Sequence, residues 1–387
     1  MSVEYKILKL RGVIEMKIWG FTTVRDEADI IESFVRYNMN ILDGIVISDN
    51  CSRDDTLSIL KKLQKEGYNI DILIDNDSAF EQTAKRNELL NYTIKKYKPD
   101  YIFPIDADEF ICSSNKDNPR KIIENLDNKF LYKYKMKNYI LDGNEPENLF
   151  IPEKIGNLRD EIKSENNGGY NYKCFISKKI YSKDIFLEIG SHSAVYKNGN
   201  SINTTINEKL YIAHFPVRSK EQLINKVIIG RLNHSCFHDR NEGLGWHQYE
   251  ILDEIIKKGT ISKKTLLDFS MYYSVLNKNS KISYSYKPIN LSFCKNIDIK
   301  YSKKINKTMI LSNTVEVALD DINNLRKRIN IITEKRKKDK IEHENKVELL
   351  EREKDFYKNE LEKVLNSKTW KMKEKIVRIL RIRRENK

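Results

Sequence analysis

Tyr101–Glu109 reads YIFPIDADE, a short apolar run that ends in two carboxylates with one residue between them. Upstream of it the chain alternates. Lys17–Val24 (KIWGFTTV) has strand composition, the polar Arg25-Asp26-Glu27 follows, and Ala28–Met39 sets Ile30, Ile31, Phe34 and Val35 on one helical face. Gly44–Ser48 (GIVIS) is apolar throughout, as a parallel strand covered on both faces must be. Asp49–Thr56 (DNCSRDDT) is a polar loop, Leu57–Lys65 a helix, Ile70–Ile74 a third strand, and Gln82–Tyr97 a helix that Pro99 ends. This alternation predicts an α/β fold, a Rossmann-like parallel sheet with helices on both faces. Right-handed crossovers bring the C-terminal strand ends to one edge, where such sheets bind ligands. The acidic loops after Val24, Ser48 and Ile105 meet on that edge.

Beyond Asn138 the pattern breaks into shorter strands and turns, of which Lys173–Ser177 and Tyr211–Phe215 are the clearest. Ser219–Gly230, His247–Lys258 and Ser262–Asn277 read as helices, and 278–310 is polar without a clear period. Val315–Leu365 has no Gly or Pro and is dense in Lys, Glu and Arg. Ile322, Leu325, Ile329 and Ile332 keep a 3-4 spacing, which Val347, Leu350, Tyr357, Leu361 and Val364 resume in a shifted frame. A coiled-coil helix with one stutter fits this, and it makes a homo-oligomer through 315–366 an expectation. Ser367–Arg384 is a basic amphipathic helix carrying Trp370, Met372, Ile376, Val377, Leu380 and Ile382. The organisation expected is a catalytic domain over 16–240, a helical or irregular accessory region over 241–314, the coil over 315–366 and the basic tail over 367–387. Met16, just before the first strand, is a candidate start.

The chain has 387 residues, 40% hydrophobic and 33% charged, with net charge +14. That excess suits an anionic partner. No nucleic-acid recognition module accompanies it, so nucleic acid is not expected. Each basic residue of the tail would gain ~1 kcal/mol at an anionic lipid surface, which points to peripheral membrane contact through 367–387. The five cysteines are scattered, with no Cys-x-x-Cys pair, and no apolar leader or spanning run is present. A reducing, cytoplasmic location is therefore expected, at most peripheral to a membrane.

Asp106 and Asp108 close a buried strand and can aim at one point, which suits Mn²⁺ or Mg²⁺ together with phosphate oxygens. The metal would neutralise charge on a leaving diphosphate. His214 sits at a strand end in YIAHFPVRS, and a neutral imidazole is a competent metal ligand. Asp49 also suits a helix cap or turn, and Arg86 a helix-surface ion pair. A base for an acceptor hydroxyl could come from Asp160, Glu161, Glu188 or His192. His234, Cys236, His238 and His247 cluster in NHSCFHDRNEGLGWH, but their spacing matches no standard zinc module, and a substrate loop suits them better.

WGFTTVRDEADIIESFVRYNMNILDGIVISDNCSRDDT (19–56) followed by PIDADEFI (104–111) resembles the family-2-type glycosyltransferases of the GT-A fold. Their bacterial polysaccharide-synthesis branch, in which Asp-Ala-Asp-Glu-Phe recurs, is the nearest pattern, and the resemblance covers roughly residues 17–235. It implies that Asp26 and Glu27 lie near the nucleotide and that Asp49 bonds the base, in a loop shaped by Asn50, Ser52, Asp54 and Thr56. Arg86 (in KRN) would lie near the diphosphate, Asp106 would touch ribose or metal, Asp108 would bind metal, His214 would complete the metal site or contact the diphosphate, and Lys226 would meet phosphate. His192, in EIGSHSAV, also resembles a motif of this branch. The sequence departs from the family at Asp26-Glu27, where Asn-Glu is common, and at Asp49-Asn50-Cys51, where Asp-Asp-Gly is usual.

The implied reaction moves a sugar from a UDP- or GDP-linked donor to a hydroxyl of a glycan or lipid-linked glycan, with inversion, in cell-surface polysaccharide synthesis. Two other classes compete. A sugar-nucleotide nucleotidyltransferase would need a Gly-rich phosphate loop after the first strand, and TVRDEAD has none. A non-catalytic scaffold would place the function in the coil and tail.

Overall fold

The computed structural model describes residues 16–75, 82–160, 172–181, 184–235, 251–273, 275, 281–295 and 297–385. Glu161 and the side chains of His234, Cys236, His238, His247, Trp370, Leu380 and Ile382 lie outside the described part.

The alternating segment folds as β1 (Ile18–Val24), α1 (Ile31–Asn38), β2 (Gly44–Asn50), α2 (Thr56–Lys65), β3 (Ile70–Asp75), α3 (Gln82–Tyr97) and β4 (Tyr101–Pro104). β1 pairs in parallel with β2 and β4, and β2 with β3. Both faces of this half-sheet are buried, which explains its unbroken apolar runs. Ile45, Ile47, Tyr101 and Phe103 join the core under α1 and α2. Val46 and Ile102 face the other way, with Trp19, Phe21, Leu89 and Leu90. Gly44 is required by close packing, since a Cβ there would lie 2.5 Å from the Trp19 ring.

The rest of the chain turns the parallel sheet into a mixed one. In order come β5 (Glu109–Ser113), α4 (Pro119–Glu124), β6 (Leu131–Ile140), α5 (Ile151–Lys154), β7 (Asn157–Arg159), β8 (Tyr172–Ser177), α6 (Lys178–Tyr181), β9 (Ile185–Leu187), β10 (Ala194–Tyr196) and β11 (Thr204–His214). β8 runs antiparallel to β4 and β6. β11 runs antiparallel to β5 and parallel to β6. An all-parallel sheet is therefore correct only for the first four strands. β9 and β10 form a separate hairpin.

α7 (Lys220–Ser235), α8 (Leu252–Lys258), α9 (Lys263–Met271), β12 (Tyr284–Tyr286), α10 (Lys307–Asn366) and α11 (Lys368–Glu385) complete the described elements. Residues 251–317 share the main core through Ile255, Leu266, Phe269, Ile289, Ile305 and Ile310. The expected accessory region thus falls within the first of two compact units. Two compact units result, one ending at Val317 and the other spanning Ala318–Lys387. Among the described residues no helix is long and apolar enough to cross a membrane.

The polar stretch before α10 is fastened by one buried carboxylate. Glu32 of α1 accepts from the backbone N–H groups of Lys300 (2.9 Å), Tyr301 (2.7 Å) and Ser302 (2.8 Å) and from Arg36 Nε (2.9 Å). Removing it leaves buried donors without an acceptor. Glu32→Ala should lower unfolding free energy by ~3 kcal/mol and raise hydrogen exchange at 300–302. Both are readable by denaturant titration and exchange mass spectrometry.

Candidate active site

Two loops are stapled together at the C-terminal edge of β1 and β2. Asp26 N donates to Ser52 Oγ (3.1 Å), Arg53 N to Asp26 Oδ1 (2.7 Å), Glu27 N to Thr56 Oγ1 (2.8 Å) and Ala28 N to Asp54 Oδ2 (2.9 Å). Asp26 and Cys51 both adopt φ of 55°, a left-handed conformation that these bonds hold in place. Burial, with Asp26 beside it, pushes the Asp54 carboxyl up to about 6. Asp49 Oδ2 accepts from Ser52 N at 3.3 Å. The Asp49 carboxylate therefore holds the loop and does not cap α2. Burial raises its pKa. Asp49 Oδ1 and Asp26 Oδ2 are buried with no hydrogen-bond partner in the chain. Buried oxygens are rarely left so, and both suit an N–H or O–H donor from a ligand.

The Asp-Ala-Asp-Glu turn splits its carboxylates between two clusters. In the first, Asp106 is paired with Arg86 of α3 and with Lys173 Nζ of β8 (2.9 Å). Lys173 also holds Glu109 Oε1 at 2.9 Å, and Glu109 Oε2 accepts from Asp106 N at 3.0 Å. Arg86 is buried, so its pair is internal and not a helix-surface one. Its Nη1 donates to Ser191 Oγ at 2.7 Å. Burial lowers the Lys173 pKa against the pull of Glu109.

The second cluster surrounds Asp108. Strand register puts His214 there, because β11 pairs His214 with Glu109 of β5 and with Asn138 of β6. Phe215 N also donates to the Asp108 carbonyl at 2.9 Å. His214 Nε2 lies 3.6 Å from Asp108 Oδ2, and its Nδ1 lies 2.6 Å from Asn138 Oδ1. The Asn138 contact at Nδ1 fixes the ring so that Nε2 faces Asp108.

Arg218 Nη1 and Lys226 Nζ each stand 3.8 Å from Asp108 Oδ2. Arg218 is 1% exposed and binds Glu27 (2.6 Å) and Asp29 (2.8 Å) besides. Burial alone would raise Asp108, but His214, Lys226 and Arg218 outweigh it and hold the carboxyl far below its ordinary range. Tyr273 walls this cluster, its ring edge-on to His214 at 5.7 Å and under Lys226 Nζ at 5.6 Å.

Asp108 and His214 are the side chains here that could hold a divalent cation. Mg²⁺ and Mn²⁺ keep water and phosphate oxygens, so two protein ligands are enough. Asp106, its oxygens engaged by Arg86 and Lys173, stands in the other cluster. Among the described residues no group of three or more His, Cys, Asp or Glu side chains is gathered for a metal.

Glu188 is exposed and His192 half-buried, beside Ser191 and so one link from Arg86. His192 Nδ1 donates to the Tyr172 carbonyl at 2.6 Å. Burial depresses its pKa to about 4, so it is neutral at pH 7. The unfolded chain, with a histidine near 6.5, binds the proton first. His192 should therefore cost stability as pH falls from about 6.5 toward 4, by up to ~1.4 kcal/mol per pH unit. His192→Gln should flatten that part of the pH–stability curve, as denaturant titrations at pH 7 and 5 would show. Asp160 lies elsewhere, bonded to Ser283 at the β7–β12 pair.

Lys173, Arg218, Asp29 and Asn138 were not singled out by the sequence reading. A lysine inside the apolar strand NYKCFIS, and an arginine four residues after a strand-end histidine, were the available signals.

No family model matches the sequence, and no curated protein matches it. Solved structures give distant likenesses. Glucosyl-3-phosphoglycerate synthase from Mycobacterium tuberculosis, in complex with Mg²⁺ and UDP, is 14% identical over 63% of this chain and 87% of its own, with a TM-score of 0.30. The inositol-1-phosphate CTP transferase from T. maritima is 12% identical over 64% and 99%, with a TM-score of 0.28. GalNAc-T7, with UDP, GalNAc and Mn²⁺, is 8% identical over 66% and 58%, with a TM-score of 0.31. At these values the likenesses bear on neither substrate nor chemistry.

Proposed function

We propose that this chain is a glycosyltransferase of the GT-A type, transferring a sugar from a UDP- or GDP-linked donor to a hydroxyl of a glycan or lipid-linked glycan, with inversion. The observation that carries the reading is the Asp108 cluster. A carboxylate and an oriented imidazole face one another there, flanked by two cations on the ligand-binding edge of the sheet.

Asp108 and His214 would hold Mn²⁺ or Mg²⁺, which when bound supplies charge neutralisation at the donor diphosphate. Arg218 and Lys226 add positive charge beside it, and their ion pairs with Asp108 hold them in place before the donor arrives. Asp49 Oδ1 would accept from the base, and Asp26 Oδ2 from another donor of the nucleotide. Arg86 and Lys173 fix Asp106, which would contact the ribose.

His192, neutral at pH 7, and exposed Glu188 are the candidates to take the proton of the acceptor hydroxyl. In this reading the enzyme serves cell-surface polysaccharide synthesis at the cytoplasmic side. Its basic α11 meets anionic lipid there.

The test is a turnover assay on a panel of UDP- and GDP-sugars. Release of nucleoside diphosphate that needs Mn²⁺ or Mg²⁺ supports transfer. Release of pyrophosphate from a nucleoside triphosphate and a sugar phosphate would instead establish a nucleotidyltransferase.

A further inference from the structure

The second unit carries a long apolar seam that is exposed among its described residues. Along α10 the side chains of Ile322, Leu325, Ile329 and Ile332, and then Val347, Leu350, Tyr357, Leu361 and Val364, are 42–69% exposed. A helix of this length draws most of its stability from packing such a stripe, and a contiguous exposed stripe marks an interface.

Heptad positions identify the occupant. In the first run Ile322 and Ile329 fall at a, Leu325 and Ile332 at d. A four-residue stutter in the polar stretch between the runs resets the frame. Val347, Lys354 and Leu361 then fall at a, and Leu350, Tyr357 and Val364 at d. The Ile322–Leu325 and Val347–Leu350 steps place a β-branched residue at a and leucine at d, the arrangement that favours two strands, and polar residues within the seam, Lys354 among them, favour one register.

The flanking charges are self-complementary. In a parallel pair each g position faces the e position five residues on in the other chain. Lys346 (g) then meets Glu351 (e), and Glu353 (g) meets Lys358 (e), opposite in sign both times. Glu353 also lies beside the Lys354 of the other chain. The Arg352–Glu348 pair, at 2.6 Å within one helix, occupies the outer face and leaves the seam clear. Leu349 and Phe356, both at c, fall outside the seam.

We infer that α10 pairs with a second copy of this chain as a parallel, in-register, two-stranded coiled coil spanning about 318–364. The pairing makes the enzyme a dimer through a segment separate from the transfer site. Because the strands are parallel, the two basic α11 helices leave the coil at the same end. Binding to an anionic surface would then be bivalent.

The experiment is sedimentation equilibrium on the full chain at micromolar concentration. The expected mass is twice the 45.7 kDa of one chain. Leu325→Asp combined with Leu350→Asp should return the mass to 45.7 kDa, with the thermal unfolding of the first unit unchanged. Leu350→Cys should form a chain-to-chain disulfide under mild oxidation that the wild type, with its native cysteines, does not form.

A monomeric wild type would overturn the proposal, as would a trimer or tetramer. So would a dimer that survives the double aspartate variant. A dimer in which Leu350→Cys fails to cross-link would overturn the parallel register. None of these outcomes depends on the chain being a glycosyltransferase.

Discussion

Arg218→Met should cost the first compact unit ~3–5 kcal/mol of unfolding free energy, because it strands the carboxylates around it and does not merely delete one contact. The guanidinium donates through Nε to Asp29 (2.8 Å) and through Nη2 to Asp29 (2.9 Å) and Glu27 (2.6 Å), and it stands 3.8 Å from Asp108. Met matches much of its volume but none of this charge. Arg218→Lys should recover only part of the loss, since a single ammonium cannot reproduce the forked contact with Asp29. Urea titrations of the three proteins decide it. If Arg218→Met lies within ~1 kcal/mol of wild type, about the worth of an exposed pair, Arg218 is not the internal counter-ion described here.

Asp108→Asn should have the larger effect on chemistry and the smaller one on folding. The amide keeps the shape of the side chain and removes the charge that His214, Lys226 and Arg218 converge on. Turnover dependent on Mn²⁺ should fall by at least ~10²–10³-fold, the scale on which removing one electrostatic contact to the reacting groups is felt. Adding metal should not restore it. Asp106→Asn should behave differently, loosening Arg86 and Lys173 and therefore lowering stability along with rate. Turnover of Asp108→Asn within a few-fold of wild type would remove Asp108 from the donor site.

The parallel half of the sheet was legible because its strands must be apolar on both faces. GIVIS and YIFPI have no other comfortable home, and the helices between them carry a clear 3.6-residue period. The antiparallel extension was not. β8 and β11 can be read as strands, but their partners are distant in the chain, and no local pattern specifies that Tyr101 pairs with Ser177 or His214 with Asn138. Residues 278–310 were unreadable for a related reason. Its residues 300–302 are held by main-chain donors to the one carboxylate of Glu32, a contact that leaves no periodicity.

The site divides the same way. Its acids stood out because charges at the end of an apolar strand are conspicuous. Its counter-ions did not, because a buried lysine or arginine is spelled like a surface one. Lys173 and Arg218 become significant only when β8 and the exit of β11 bring them to Asp106 and Asp108.

The most direct test is isothermal titration of the wild-type chain with UDP- and GDP-sugars, with and without Mn²⁺, repeated on Asp108→Ala. The reading predicts that one donor binds, that binding tightens with Mn²⁺, and that Asp108→Ala removes the metal-dependent part. A folded wild-type chain that binds no nucleotide sugar in either condition would contradict it.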